Sequence, residues 1–469
     1  MAYCITCGKF KYKYRYILYS AISLLISDCA FGINYHGVFN DVSLIKIFPF
    51  DDNDKKKFFQ HYYIRQIFCY FGTSIVSIIL YKLEIEKNKS RSESIRSKDS
   101  SNLESSFNSN SVIKLIYESN DSINYSNLFV MKLLFLILLW VIEEKFVEKL
   151  NYILKHLDFW MFEFIFLSYF CKKYLHIAVY RHQILAMFLT ILPCTLKIVT
   201  IILSFFDDKS NKPYSEDFIR KDNHLEILYV PYPWLIPIGI FIYFGMKIMR
   251  AYIKTQIKWY MDIKYVSITK LLMIYGIIGT IFYTIICIIT TFIECSKAKI
   301  NDYFCETVGD KDKKYFASFK LYFKDILLQF PLQEIILLTI GILGFSFYKF
   351  FSLMIIKNLT PIHLVFSLPL FYIMRKIILT ISFLFDTPEY NTYILKYILD
   401  VVGDFLCIFA YLIYLEIIEL HCCNLNFNLS ENIITRGQTE LCVKEDLINE
   451  DEESSIDRGE TKNSLSSND

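Results

Sequence analysis

The sequence predicts an all-α polytopic membrane protein with ten transmembrane helices. Of its 469 residues 54% are hydrophobic and the mean hydropathy is positive. Apolar windows of about 20 residues recur along the chain, each long enough at ~1.5 Å rise per residue to cover roughly 30 Å of hydrocarbon. The strongly polar residues gather in a few separate segments, which suits a chain whose water-excluded core is the bilayer. A net charge of +2 provides no overall attraction to nucleic acid, so the charges matter by where they sit. The abundance of Phe, Tyr, Ile, Asn and Lys is what A+T-rich coding produces and carries no functional weight.

Residues 1–15 form a cytosolic N-terminus, basic through Lys9, Lys11, Lys13 and Arg15. The apolar run behind it lacks a small-x-small cleavage site and reads as an uncleaved first span. The first group of spans, within 16–206, covers 16–35, 64–83, 128–147, 152–171 and 180–206. Glu143, Glu144, Glu148 and Lys149 crowd the gap between the third and fourth. Between the second and third, residues 84–127 are rich in Ser and Asn with alternating charge, the composition of a disordered loop.

A polar connector, 207–226, leads to the second group within 227–420, with spans at 229–250, 268–293, 334–357, 361–383 and 394–420. The eighth and ninth make a tight hairpin joined by Asn358-Leu359-Thr360-Pro361. Residues 421–469 are a polar tail with the acidic cluster Glu450, Asp451, Glu452 and Glu453, and Cys422 and Cys423 at its start have the juxtamembrane placement of palmitoylated cysteines.

Orientation follows from the basic residues near span ends. The N-terminus, the joint with Lys172, Lys173 and Arg181, and the joint with Lys247, Arg250, Lys254, Lys258 and Lys264 read as cytosolic. Alternate joints are acidic, as at Asp386 and Glu389. Both termini are then cytosolic, and the sequons at Asn88, Asn120, Asn124, Asn358 and Asn428 all fall on cytosolic segments, which predicts no N-glycan. The loop 294–333 becomes lumenal and holds a candidate disulfide, Cys295 with Cys305. The 13 cysteines are odd in number and scattered, and Cys4-x-x-Cys7 lacks a second ligand pair, so neither a disulfide scaffold nor a metal site is expected.

Charges inside spans are costly and need partners. Measured along the helices from the nearest lumenal span end, Asp28, Glu163, Lys197, Arg375, Asp400 and Asp404 fall at depths of ~9 to ~17 Å and form one layer. Asp400 and Asp404 are one turn apart on the tenth span, and Arg375 and Lys376 on the ninth lie at matching height. Such a layer lines a substrate or ion path, or pins helices together by salt bridges. His156, His182 and His363 lack ligand spacing and suit headgroup boundaries. Gly276-x-x-Gly279 and Gly341-x-x-Gly344 offer small faces for close helix packing, while Pro193 and Pro237 are candidate kinks. No P-loop, HExxH, GxSxG or cofactor motif is present, so no enzymatic activity is expected.

Three stretches resemble the drug/metabolite transporter superfamily: Tyr260-Met-Asp-Ile-Lys-Tyr-Val-Ser267 leading into the Gly276/Gly279 helix, Asn358-Leu-Thr-Pro-Ile-His363, and Glu416 to Arg436. The resemblance covers most of 128–436 and is to the nucleotide-sugar and solute-carrier-like members, in their protist forms. The chain lacks a family substrate motif and is poor in glycine for a carrier. The resemblance implies two inverted five-helix halves with both ends cytosolic, and alternating access about a mid-membrane site.

The expectation is therefore a secondary-active transporter of a small polar or anionic metabolite in an endomembrane such as Golgi, ER or vacuole. Lys197 and Arg375 would meet the anion, and the carboxylates would carry a proton or balance the cations. A lipid-handling protein or membrane-embedded transferase, and a non-transporting scaffold, are the alternatives.

Overall fold

The computed structural model describes residues 15–27, 62–99, 127–153, 160–193 without 178 and 179, 235–291, 294–295, 314–315, 319–371, 373–374, 377, 394–415 and 418. It is helical throughout, apart from one two-residue ladder. Helix α1 is Arg15–Ser27, α2 Tyr62–Asp99, α3 Asn127–Ile153, α4 Trp160–Leu175 and α5 residues 181–193. Then come α6, Leu235–Ile263, and α7, Ile268–Thr291. The antiparallel ladder pairs β1, Glu294–Cys295, with β2, Lys314–Tyr315, and the one-turn α8, Phe319–Tyr322, follows. The bundle is completed by α9, Pro331–Asn358, α10, Pro361–Val365, and α11, Ile394–Tyr414.

Three of these are long and apolar enough to cross a membrane, within Ile64–Glu86, Ile268–Ile289 and Pro331–Asn358. All three expose large apolar side chains as well as burying them. On α2 the buried side carries Arg65, Gln66, Thr73, Ser74 and Ser77, while Phe71, Ile75, Ile78 and Ile79 are exposed. On α7 the exposed residues are Ile277, Ile281, Ile285, Ile288 and Ile289. A surface of branched aliphatics over a partly polar interior is what a lipid solvent selects.

Glycines bring these helices into near-contact. A Cβ at Gly276 of α7 would stand 2.8 Å from the Tyr70 carbonyl oxygen and the Ser74 nitrogen of α2, and one at Gly344 of α9 would stand 2.7 Å from the Ser27 nitrogen of α1. Hydroxyls then bridge the interfaces, Thr73 to Ser346 at 3.0 Å and Ser20 to Ser352 at 3.4 Å.

Two apolar clusters result. One is built from α1, α2, α3, α6, α7 and α9, around Tyr70, Ile137, Ile257, Leu272 and Leu353. The other joins α4, α5, α6, α10 and α11 around Phe164, Ala186, Val365, Cys407 and Tyr414, with the Phe366 and Tyr411 rings stacked at 3.7 Å. Helix α6 belongs to both, turning Ile253 and Ile257 to the first and Tyr243 and Ala251 to the second.

Several boundaries differ from the sequence reading. Helix α2 runs on to Asp99, so the segment expected as a loop from Glu84 begins as helix; Glu86, Lys89, Glu93 and Arg96 alternate in sign at spacings of three and four, which favours an exposed helix. The sixth span was expected to end at Arg250, yet α6 continues to Ile263, and the joint to α7 shrinks to Lys264–Ser267, with Tyr265 at φ 53°. Helix α3 extends to Ile153, and α4 starts at Trp160 rather than 152. Pro237 lies near the start of α6 as described, and Pro193 is the last described residue of α5. The hairpin joint stands as read: α9 ends at Asn358 and α10 starts at Pro361. Cys295 lies on β1 and Cys305 outside the described residues, so the candidate disulfide is not described.

Candidate functional site

At the seam between the clusters, charged side chains from α3, α4, α6 and α9 converge inside the bundle. Helix α6 supplies Lys247, Arg250, Lys254 and Lys258, at spacings of three, four and four, which align them on one face. Glu143 and Glu144 are adjacent on α3 and point about 100° apart, so each serves a different neighbour.

Glu163 on α4 is fully buried and is met by three cations. Lys254 Nζ bonds its Oε1, Arg250 NH1 lies 3.8 Å from its Oε2, and Lys247 Nζ lies 3.9 Å from Oε2. Arg250 also donates from Nε to Oε1 of the fully buried Glu143, at 2.7 Å. Neither Glu143 Oε2 nor Glu163 Oε2 has a hydrogen-bond partner among the described residues. Buried carboxylate oxygens ordinarily have one.

Glu144 is held from the other side. Lys349 of α9 bonds its Oε1, and the Tyr275 hydroxyl donates to Oε2 at 2.5 Å, with Tyr70 at the limit of reach, 3.4 Å. The Lys349 ammonium is framed by the rings of Trp140, Tyr275, Phe345 and Tyr348, their centroids 5.1–5.5 Å away, so aromatic faces replace part of its hydration shell. Lys349 lies nine residues, ~13 Å, from the end of α9, well inside the apolar helix.

Two further polar groups flank the site. Lys258 caps α9 by donating to the Lys357 carbonyl oxygen at 2.7 Å, and pairs with Asp262 at 3.0 Å. Arg65 of α2 grips Glu334 of α9 through Nε at 3.0 Å and NH2 at 2.5 Å, and the Tyr322 hydroxyl adds a 2.7 Å bond to the same carboxylate. Burial first, and then the Glu334 carboxylate, push the Tyr322 phenol up, so it stays a neutral donor.

Of the residues expected in the polar layer, the structure places Glu163 at the centre. Asp28, Lys197 and Arg375 lie outside the described residues; Asp400 and Asp404 sit one turn apart on the backbone of α11, with side chains outside the described set. His363 accepts or donates at Nδ1 to Thr360 at 2.7 Å, and His182 is buried on α5 beside Tyr180. Among the described residues no group of His, Cys, Asp and Glu side chains is arranged to hold a metal ion.

The residues that sequence reasoning missed are Glu143, Glu144, Lys247, Arg250, Lys254 and Lys349. Lys247, Lys254 and Lys258 were read as a cytosolic joint, but they are buried. The available signals were the spacing along α6 and a lone Lys349 within a long apolar run. No protein-family model matches the sequence, and no curated protein matches it at a significant level.

Proposed function

We propose that the chain is a multi-pass carrier that moves a small anionic metabolite across an endomembrane by alternating access. The observation that carries this reading is the convergence of Lys247, Arg250 and Lys254 on Glu163 in the bundle interior. A purely structural network would satisfy its oxygens. Among the described residues, one oxygen each of the fully buried Glu143 and Glu163 has no hydrogen bond. Basic side chains gathered in the interior around such carboxylates suit a site that an anion occupies for part of the cycle.

The helix pairings support a ten-span carrier of two related halves. Helix α2 packs most extensively on α7; α3, which packs mainly on α6 and α7, also reaches α9 through Glu144 and Lys349, and α4, which packs mainly on α6, also meets α10. In the ten-span order these are second with seventh, third with eighth and fourth with ninth, each helix beside its counterpart five spans later. The resemblance implies two inverted five-helix halves, and a site at a seam between halves suits a rocking mechanism.

Counterflow in proteoliposomes tests the function, with nucleotide sugars, sugar phosphates, carboxylates and amino acids offered as a panel. Wild type should exchange at least one anion; Arg250→Gln should reduce that exchange at least tenfold, and Lys264→Gln, on the exposed turn, should leave it unchanged. Monodisperse wild-type protein that exchanges nothing in the panel would sink the carrier reading.

A further inference from the structure

The geometry points to Glu163 as an internal substitute for the substrate's anionic group, displaced with uptake of one proton when an oxyanion, carboxylate or phosphoryl, binds to Lys247, Arg250 and Lys254. This deepens the carrier reading and rests on it for its physiological meaning. Three basic side chains around one fully buried carboxylate make an arrangement that receives anions, and Glu163 is the anion already there. Its Oε1 is bonded by Lys254, but Oε2 has only the more distant attraction of Arg250 and Lys247 at 3.8 and 3.9 Å. The carboxylate therefore fills the site's charge without filling its hydrogen-bonding capacity. A ligand with more acceptor oxygens would use the fork of Arg250 and both ammonium groups.

Electrostatic repulsion then favours uptake of the proton. Adding an oxyanion while Glu163 stays ionised would bury two negative groups against the same cations, at a like-charge cost. If Oε2 takes a proton from the aqueous compartment as the anion arrives, the carboxylate becomes a neutral carboxylic acid, which offsets one of the negative charges the anion brings. The groups that face Glu163 among the described residues come from several helices. From α6 they are Lys247, Arg250 and Lys254; Glu143 on α3 shares Arg250, and Tyr348 on α9 interacts with Glu163 electrostatically. Helix α10 brings His363 and α11 brings Tyr414 against the same helix, Tyr414 through the Phe164 ring. Glu143 is the competing acceptor, but its Oε1 holds the stronger bond to Arg250, at 2.7 Å.

Sulfate is a suitable probe because it stays fully ionised between pH 6 and 8.5. Its binding to purified full-length protein is measured by thermal melting at constant ionic strength. In wild type, sulfate should bind about tenfold more tightly for each unit of falling pH, the linkage of one proton per anion. Glu163→Gln should bind sulfate at least tenfold more tightly at pH 8 and without pH dependence. Glu143→Gln should keep the wild-type slope.

Wild-type binding that is absent or flat with pH overturns the proposal without any variant. A slope that persists in Glu163→Gln, or vanishes only in Glu143→Gln, overturns the assignment to Glu163. Proton-linked sulfate binding without counterflow would remove the carrier reading alone, and counterflow with flat binding would remove this inference alone.

Discussion

Arg250 on α6 donates to Glu143 on α3 at 2.7 Å across 107 positions of sequence, and the same guanidinium stands 3.8 Å from Glu163 on α4. One side chain therefore links three helices and both apolar clusters. An arginine shared by two carboxylates ties the packing of their helices together, so removing it should disturb both contacts at once.

The Arg65–Glu334 pair makes a direct stability test. Both side chains are nearly fully buried, at 2% and 1% exposure, and bonded bidentately. Arg65→Met alone should cost about 3–5 kcal/mol because it strands the Glu334 charge. Arg65→Met with Glu334→Leu should recover most of that loss. Denaturant or thermal unfolding in detergent reads both, and a double variant no more stable than the single one would refute the account.

Tyr275→Phe should lower stability by about 1–3 kcal/mol, since Glu144 then loses its 2.5 Å hydroxyl donor inside the bundle. Tyr70→Phe should cost less, because its contact with Glu144 is 3.4 Å. Equal melting shifts for the two variants would contradict the geometry.

Two glycines should respond in opposite ways. A Cβ at Gly279 would collide with the Tyr70 ring, whereas one at Gly245 on α6 meets nothing within 4 Å. Gly279→Ala should lower the melting temperature, and Gly245→Ala should leave it unchanged or raise it through helix propensity, worth about 0.5–1 kcal/mol. A Gly279→Ala variant that melts no lower than wild type would show that the α2–α7 approach does not depend on the missing side chain.

The helical, apolar character was legible because hydropathy is a local property of the chain. The hairpin joint at Leu359 and Thr360 was legible for the same reason, with proline opening the second helix. Glu163 was legible as an isolated charge in an apolar run, and the structure buries it fully. The cations of α6 were not, because a basic residue at a span end and one on the buried face of a longer helix have the same local pattern. Their partners are remote: Lys254 is 91 positions from Glu163, and Lys349 is 205 from Glu144. Glu143 and Glu144 were lost to the same ambiguity, taken for the crowded gap after a span that in fact continues to Ile153.

Helix α2 leaves its apolar window at Glu86 and continues without interruption to Asp99, a further ~20 Å. Such a rod acts as a pointer fixed to the bundle. A tilt of α2 by ten degrees against α7 would sweep its far tip by roughly 3 Å more than its base over that length. The serines at 90, 92, 94 and 97 lie on that extension, so a group attached to any of them would be carried through the larger arc of such a tilt.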